Sequence, residues 1–433
     1  MNKILNTLDR FATTKTLVVV PISLFVYGGR KVFFPEILQQ DDFRELDVKN
    51  LQNFSCVWHE GDNHPLWSSI IWIISKTGMP TQSVILFLNI LIAISSLLLI
   101  YYFLEKKYSK LYALLGSSIL ANSFIFTYYS SNLKQYQVEI LYSVIALVLY
   151  ERIEINKKGY YQFILLATFF GLLSKTTILI SLLFILALAI NSIKYRGNLF
   201  LYFLLLSVPS FLFINEKISR ETYIPYWNEF FININSFQEF INSLSFLSSL
   251  FMKGLFGNTL WRIGLFIFLF SLIYSLIRRQ ETFSGIVIFA LLGCSILKLY
   301  PLGAGRTDII FYPFVLVLIV GFISEIKTIK DPLVVLPVMI LIVSSSFIDA
   351  EPIYKKEYID RAVYQVFDEK TDSIVLVSDE QYVGFTHYAK EIFGEKSDDN
   401  NIWCGKKIVN NSRIYNLQDG YDKSYIERLN IPP

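Results

Sequence analysis

Charged residues are scarce in this chain. Only 17% of its 433 residues are Asp, Glu, Lys or Arg, and 53% are hydrophobic, whereas a soluble globular protein carries about 25% charged residues. This shortage excludes a water-soluble globule, and a mean hydropathy of +0.45 predicts an all-α polytopic membrane protein. The small net charge of +3 does not identify a partner. From the hydropathy we expect the chain to contact membrane lipids and no nucleic acid.

Cysteine and histidine are also rare. Three cysteines exclude a disulfide framework. Cys294 lies in an apolar run, whereas Cys56 and Cys404 lie in polar segments and can pair only if the fold brings them together, which the sequence does not decide. Of the three histidines, His59 and His64 fall in the same polar segment. No internal repeat or low-complexity tract is found.

Long apolar runs are abundant. A bilayer core requires about 20 apolar residues per helix, and about eleven runs approach that length, at 14–28, 83–104, 110–128, 136–151, 159–174, 176–191, 198–215, 261–277, 284–299, 308–324 and 332–348. The run 65–77 is shorter, and is either a further span or a helix at the interface. The N-terminus is basic and no small-residue cleavage site follows, which predicts an uncleaved first span.

The positions of the basic residues predict the topology, because cytoplasmic loops collect Lys and Arg. With the N-terminus inside and 65–77 not crossing, every short inner loop is basic; the residues concerned are Lys106, Lys107, Lys110, Arg152, Lys157, Lys158, Lys194, Arg196, Arg278, Arg279, Lys327 and Lys330. A crossing at 65–77 would invert all later loops. We therefore expect a multi-pass protein of the plasma (cell inner) membrane with a cytoplasmic N-terminus and an extracytoplasmic C-terminus.

This topology predicts two domains. Residues 1–350 form a transmembrane module whose first outer loop, about 29–82, is long and polar, and a second outer loop at 216–260 is rich in aromatic residues and Asn. Residues 351–433 are polar and charged. Helical patterns there alternate with short apolar runs such as 373–378, which predicts a small extracytoplasmic α/β domain.

The first outer loop carries an acidic pair, Asp41-Asp42. Two adjacent carboxylates near a membrane surface can deprotonate a hydroxyl or amine, or hold a divalent cation. A solvated turn or a helix cap is the structural alternative.

The same loop continues into Asp62-Asn63-His64-Pro65-Leu66-Trp67. Proline favours the first position of a helix, and Asp or Asn favours the cap before it. His64 would then lie at the outer interface, where it can hydrogen-bond a phosphate or carboxylate. A histidine that only caps the helix is the alternative.

Two cations, Lys134 and Arg306, fall in predicted outer turns where basic residues are otherwise few. Ionisable groups at a membrane boundary are costly and often functional, and a lipid-linked phosphate is the anion available at this depth. Snorkelling of both side chains to bulk lipid is the alternative. Tyr136 and Glu139 come after Lys134. They are three residues apart and so lie on one face of the predicted helix.

These features occur in an order that resembles the GT-C superfamily of membrane glycosyltransferases, in the branch of the protein O-mannosyltransferases and the aminoarabinose transferase of lipid A. Asp41-Asp42 stands where that branch has an acidic pair after the first span. The segment 64–67, His-Pro-Leu-Trp, is similar to His-Pro-Pro-Leu-Tyr with one proline missing. The segment 130–136 is similar to Ser-x-Glu-x-Lys-x-Tyr, with Asn132 where an acid is common. The segment 300–306 is similar to Tyr-Pro-x-Gly-x-Arg, with one more residue between Gly303 and Arg306.

The resemblance implies a reaction. Such enzymes pass a sugar from a polyprenyl-phosphate carrier to an acceptor on the extracytoplasmic side, usually with inversion. The sugar is not identified, and the acceptor is an unknown glycan, lipid or protein. The resemblance also implies roles for particular residues. Asp41 is the base, and the phosphate is bound by Lys134 and Arg306 with His64. Asp42 and Glu139 orient the acceptor or bind a metal, and Tyr136 orients the substrate. No cofactor is identified, and a divalent metal stays open.

Two other functions compete. A transporter or flippase of lipid-linked sugars would hold phosphate with the same cations and need no base; charges near the bilayer midplane would favour it, and most ionisable residues here fall at the ends of spans instead. A non-catalytic assembly partner would be expected to lack the acidic pair.

Overall fold

A computed structural model describes residues 17–29, 65–156, 175–191, 228–278, 281–303, 305, 307–326, 339–340 and 342, and four two-residue strands between 375 and 415. This part of the chain is mostly helical. Its α-helices are α1 (Val19–Gly29), α2 (Pro65–Ser75), α3 (Thr81–Lys107), α4 (Lys110–Asn122), α5 (Phe124–Tyr129), α6 (Tyr136–Asn156), α7 (Lys175–Asn191), α8 (Phe237–Arg278), α9 (Thr282–Ile296) and α10 (Tyr312–Glu325). Short 3₁₀ turns occupy Asn228–Phe230 and Ile309–Phe311.

Two of the described helices, α3 and α8, are long and apolar enough to cross a membrane, and five shorter apolar helices have 10–17 residues. Helix α2 contains 11 residues and rises only about 16 Å at 1.5 Å per residue. A bilayer core is about 30 Å thick. Helix α1, which lies on a predicted span, also has 11 residues, so the statement that 65–77 does not cross stays a prediction.

Most predicted spans within the described residues become helices, but two predictions need correction. The run 110–128 is broken at Ser123, whose backbone is extended and whose hydroxyl accepts the Phe126 N–H and donates 2.7 Å to the carbonyl of Gly254. The predicted outer loop 216–260 is helical from Phe237 onward. The runs 159–174 and 198–215, and most of 332–348, lie outside the described residues.

Helix α8 continues across a kink at Gly257, where φ is 74°. Its first half forms a helix because Leu247, Phe251, Leu255 and their neighbours form a buried stripe. In its second half the small residues Gly264, Ser271 and Ser275 lie on the buried face beside Phe268 and Leu272, while other large apolar side chains are exposed: Ile263, Phe266, Leu269, Phe270, Ile273, Leu276 and Ile277. Small residues inside and large apolar residues outside are typical of a helix that faces lipid.

The chain divides into two compact units. The first comprises Met1–Phe33, Asn89–Ser131 and Gln135–Ala350, and the second comprises Phe34–Leu88, Asn132–Lys134 and Glu351–Pro433. In the first unit α10 lies at the centre, because most of its side chains are buried and it packs against α4, α6, α8 and α9. Helix α6 also packs against α7 and the 3₁₀ turn Ile309–Phe311.

One end of the first unit is closed by a charged cluster. Lys107, at the end of α3, lies 2.8 Å from carboxylate oxygens of both Glu151 and Glu281. The hydroxyl of Tyr108 donates to the other oxygen of Glu281 at 2.5 Å. The ends of α3 and α6 and the start of α9 therefore meet, and these are the segments that the distribution of Lys and Arg predicts on a single side of the membrane.

The described strands belong to the second unit. Val375–Leu376 (β1) pairs in parallel with Ile414–Tyr415 (β4), and Ile402–Trp403 (β2) pairs antiparallel with Lys406–Lys407 (β3). Strand β1 lies within the predicted apolar run 373–378, and the α/β fold of residues 351–433 stays a prediction. The predicted helices of this domain, and both Cys56 and Cys404, lie outside the described residues.

Candidate functional site

The segment His-Pro-Leu-Trp at 64–67 opens α2 at Pro65, as predicted. The indole of Trp67 is 2% exposed, and its Nε1–H donates to the backbone carbonyl of Leu133 over 2.6 Å. Trp67 and Leu133 are 66 positions apart in the sequence and both belong to the second unit. The structure thus brings together two of the segments that carry the family resemblance.

The second of these segments, 130–136, is a buried polar turn. Ser130, Ser131, Asn132 and Gln135 are buried, and Lys134 is only 4% exposed. The sequence predicted Lys134 in an outer turn, and the structure shows that this turn is enclosed. A lysine is almost never fully buried unless it is paired. Lys134 is therefore not an ordinary surface lysine.

Tyr136 and Glu139 lie in the first turn of α6, both buried. The amide of Gln135 donates to Oε1 of Glu139 at 3.2 Å, and Gln137 donates to the carbonyl of Phe126 at 2.8 Å. The ring of Tyr136 lies edge-on to that of Tyr129 with centroids 4.7 Å apart. The start of α6 therefore places a carboxylate, amides and a phenol together in a protected environment.

The segment similar to Tyr-Pro-x-Gly-x-Arg leads into a tight turn built on two glycines with positive φ, Gly303 (81°) and Gly305 (69°). The carboxylate of Asp308, which is fully buried, accepts the N–H of Gly303 at 3.0 Å on one oxygen and that of Gly305 at 2.9 Å on the other. A residue with a Cβ at 303 would approach the carbonyl oxygen of Leu247 to 3.0 Å. Glycine is therefore required at 303 both for the conformation and for the space.

Two further bonds fix the flanks of this turn. The N–H of Leu302 donates to the carbonyl of Phe230 at 2.8 Å, and the hydroxyl of Tyr300 donates to the carbonyl of Thr307 at 2.9 Å. Gly305 and Thr307, the chain neighbours of Arg306, are thus both held by hydrogen bonds.

Asp308 is a candidate site residue that no sequence pattern above predicted. The predicted span begins at residue 308, but in the structure the apolar helix begins at Ile309, and Asp308 lies in the turn before it. Burial raises the pKa of its carboxyl to about 7, and the bonds from Gly303 and Gly305 oppose that rise. A carboxylate that follows two glycines and directly precedes an apolar helix is the signal that could have identified it.

The seven predicted site residues divide into two groups. Lys134, Tyr136 and Glu139 are described, and all three are buried. The other four lie outside the described residues: Asp41, Asp42, His64 and Arg306. Within the described residues no group of three or more His, Cys, Asp or Glu side chains could hold a metal ion.

A family model confirms the resemblance over part of the chain. Residues 62–214 match the model described as dolichyl-phosphate-mannose-protein mannosyltransferase, which is a family of membrane glycosyltransferases. The matched region contains His64, Lys134, Tyr136 and Glu139, whereas the acidic pair and Arg306 fall outside it. No curated protein matches the chain.

Solved structures of an oligosaccharyltransferase from Archaeoglobus fulgidus are similar to this chain. One, in complex with Zn and sulfate, is 16% identical with a TM-score of 0.46, and the match covers 87% of this chain and 57% of that chain. A second, tethered to an acceptor peptide, is 14% identical with a TM-score of 0.46 and coverages of 87% and 63%. A third, with an inhibitory peptide and a dolichol-phosphate, is 12% identical with a TM-score of 0.45 and coverages of 87% and 59%. This chain thus spans about three fifths of the length of those chains.

Proposed function

We propose that this chain, a membrane glycosyltransferase related to the mannosyltransferase family by the match at 62–214, transfers a sugar from a polyprenyl-phosphate donor to an acceptor on the extracytoplasmic side. Asp41 takes the proton from the acceptor. The acceptor oxygen attacks the anomeric carbon, the bond from that carbon to the phosphate oxygen breaks, and polyprenyl phosphate leaves. The products are the glycosylated acceptor with inverted configuration, the lipid phosphate, and the proton on Asp41.

The remaining roles follow from charge. The leaving phosphate accumulates negative charge as the bond breaks, so cations placed beside it lower the barrier. Lys134 and Arg306, with His64, supply them. Asp42, Tyr136 and Glu139 orient the acceptor, or Asp42 and Glu139 hold a divalent metal.

The observation that carries the proposal is the contact between Trp67 and the carbonyl of Leu133. Two segments that resemble the same enzyme family, separated by some 65 residues, meet in the described part of the chain, and the buried Lys134 follows the contact directly. A chance likeness of short motifs gives no reason for such a meeting.

The locations of the described buried charges favour an enzyme over a transporter. Lys134 precedes α6, Glu139 is in the first turn of that helix, and Asp308 precedes α10. A transporter that carries lipid-linked sugars across the bilayer would be expected to place binding charges near the middle of its helices. These charges lie at helix ends, where a reaction at the membrane surface would use them.

The acidic pair provides the direct test. Asp41→Asn keeps the size of the side chain but removes its capacity to accept a proton. Loss of a general base typically costs 10²–10⁴-fold in rate, roughly 3–5 kcal/mol. We expect purified Asp41→Asn protein in nanodiscs to bind the lipid donor normally and to lose transfer by that factor, measured as release of polyprenyl phosphate.

Asp47→Asn is the matched control, because it makes the same change in the same loop at a position with no proposed role. The control is expected to keep full activity. Near-normal transfer by the Asp41→Asn protein would exclude Asp41 as the base. Movement of the lipid between the leaflets of proteoliposomes that contain the wild-type chain, without any transfer, would instead support the flippase.

A further inference from the structure

Resting on the proposed function, we propose that Trp67 is a positioning residue for the phosphate-binding Lys134, acting through its hydrogen bond to the carbonyl of Leu133. Neither the family match nor the motif assigns a role to this indole. The hydrogen bond itself would hold the lysine in place without Trp67 touching the substrate.

The hydrogen-bond acceptor is the backbone carbonyl of Leu133. The carbonyl of Leu133 belongs to the peptide group that joins Leu133 to Lys134, and a peptide group is planar. A bond of 2.6 Å to one edge of that plane fixes its rotation, and therefore the direction in which the Lys134 backbone leaves it. Residues 132–134 form a bend between α5 and α6, so this carbonyl is not part of a helical hydrogen-bond ladder.

The hydrogen-bond donor, the indole N–H of Trp67, is held in place as well. Trp67 is in the first turn of α2, and its neighbours Ser68, Ser69 and Ile71 are buried with it. An indole offers one N–H donor and no acceptor, and its side chain turns about only two bonds. A donor that is fixed in this way can hold a partner peptide in one orientation.

The consequence for binding follows from the position of Lys134. A lysine carries its charge on a long, flexible side chain. If the backbone of Lys134 is fixed, less conformational freedom is lost when the ammonium group binds phosphate. A small displacement of a positioned group can cost about 100-fold in rate. Loss of the indole N–H should therefore weaken phosphate binding although no phosphate contact is removed.

The test uses a short-chain polyprenyl phosphate as the probe and measures its dissociation constant with the full chain in nanodiscs. Trp67→Phe removes the N–H and keeps an aromatic ring, and we expect binding about tenfold weaker. Trp72→Phe is the matched control: the same substitution in the same helix, at a residue that is half-buried. It is expected to leave the constant unchanged.

A double-mutant cycle separates positioning from general damage. If Trp67 acts through Lys134, Trp67→Phe should have less than about a twofold effect in a Lys134→Ala background, because coupled residues are not additive. Equal effects in both backgrounds, or equal behaviour of Trp67→Phe and Trp72→Phe, would overturn the inference. If Lys134→Ala itself binds the probe normally, the proposed phosphate role of Lys134 fails and the inference fails with it. If Lys134→Ala binds the probe more weakly and Trp67→Phe binds it normally, the inference about Trp67 is rejected and the proposed phosphate role of Lys134 stands.

A second variant covers the case in which Trp67→Phe does not fold. Replacement of Trp67 by benzothienylalanine substitutes a sulfur for the N–H in a ring of nearly the same shape, so that packing is kept and only the donor is lost. The same weakening is expected from this variant. Unchanged probe binding with the sulfur analogue would contradict the proposal.

Discussion

At Asp308, burial and hydrogen bonding act on the carboxyl in opposite directions. Burial raises its pKa from 3.8 to about 7, and the N–H groups of Gly303 and Gly305 favour the charged form. The folded chain therefore binds this proton more tightly than the unfolded chain. The stability that the proton contributes is fully present below about pH 4 and is lost as the pH rises through 7.

The prediction at this residue concerns the pH dependence of unfolding. The melting temperature of the wild-type chain in detergent should fall between pH 5 and pH 8, and the contribution of Asp308 is on the order of a few kcal/mol. Asp308→Asn cannot titrate and should lose this part of the slope. The comparison is made on slopes, since Asn also changes the turn. Parallel slopes in the two proteins would contradict the assignment.

Arg306 provides a second test at the residue scale. An arginine makes two parallel hydrogen bonds to a phosphate, whereas a lysine is a point charge. Arg306→Lys keeps the charge, yet it should weaken polyprenyl phosphate binding about tenfold, because one charge-assisted hydrogen bond is worth roughly 1.5–3 kcal/mol. Arg278→Lys is the control, as it lies at the opposite predicted side of the membrane. Equal binding by both variants would mean that charge alone suffices at 306.

At the scale of elements, Gly254 sets how closely α8 approaches α10. A Cβ there would lie 2.1 Å from the hydroxyl of Tyr312 and 3.1 Å from Cγ1 of Ile125. Tyr312 is fully buried, so its ring cannot move aside easily. This single position brings α5, α8 and α10 together.

Gly254→Ala should therefore destabilise the first unit by about 1–3 kcal/mol, the usual cost of overpacking. Gly293→Ala is the matched control, because Gly293 is also helical but has no atom within 4 Å of the added Cβ. Alanine there should be neutral or stabilising by up to about 1 kcal/mol. Thermal unfolding of both variants in detergent checks the pair, and a Gly254→Ala protein as stable as Gly293→Ala would show that the helices can separate freely.

At the scale of the whole molecule, the charge cluster of Lys107, Glu151 and Glu281 joins three helix ends that the distribution of Lys and Arg assigns to the cytoplasm. The membrane orientation of the chain stays a prediction of the sequence. It requires 65–77 to remain on the outer side and residues 351–433 to be extracytoplasmic.

Labelling of cysteines tests this orientation. In a background without native cysteines, a membrane-impermeant maleimide should label Asn400→Cys in intact cells and should label Lys157→Cys only after the cells are opened. The reverse pattern would invert the topology and remove the proposed site from the outer face.

The sequence alone predicted a helical membrane protein, because hydropathy and the distribution of Lys and Arg are local properties that determine how a segment partitions into a bilayer. It also located α2 at Pro65 and the start of α6 at Tyr136, since proline and the onset of an apolar run act over a few residues. It did not predict the helix that starts at Phe237, because the aromatic and Asn residues of that stretch are equally suited to an interfacial loop. The buried stripe that stabilises the helix depends on neighbours distant in the sequence.

Only the tertiary structure decided which polar groups are enclosed and what they contact. The indole of Trp67 meets a carbonyl 66 residues away, and Lys107 meets a carboxylate 174 residues away. Asp308 and Gly303 are only five residues apart, yet their bond exists because two glycines adopt positive φ and the surrounding helices exclude water. Such contacts depend on the packing of whole elements, and their free energies depend on burial, which no local pattern of residues specifies.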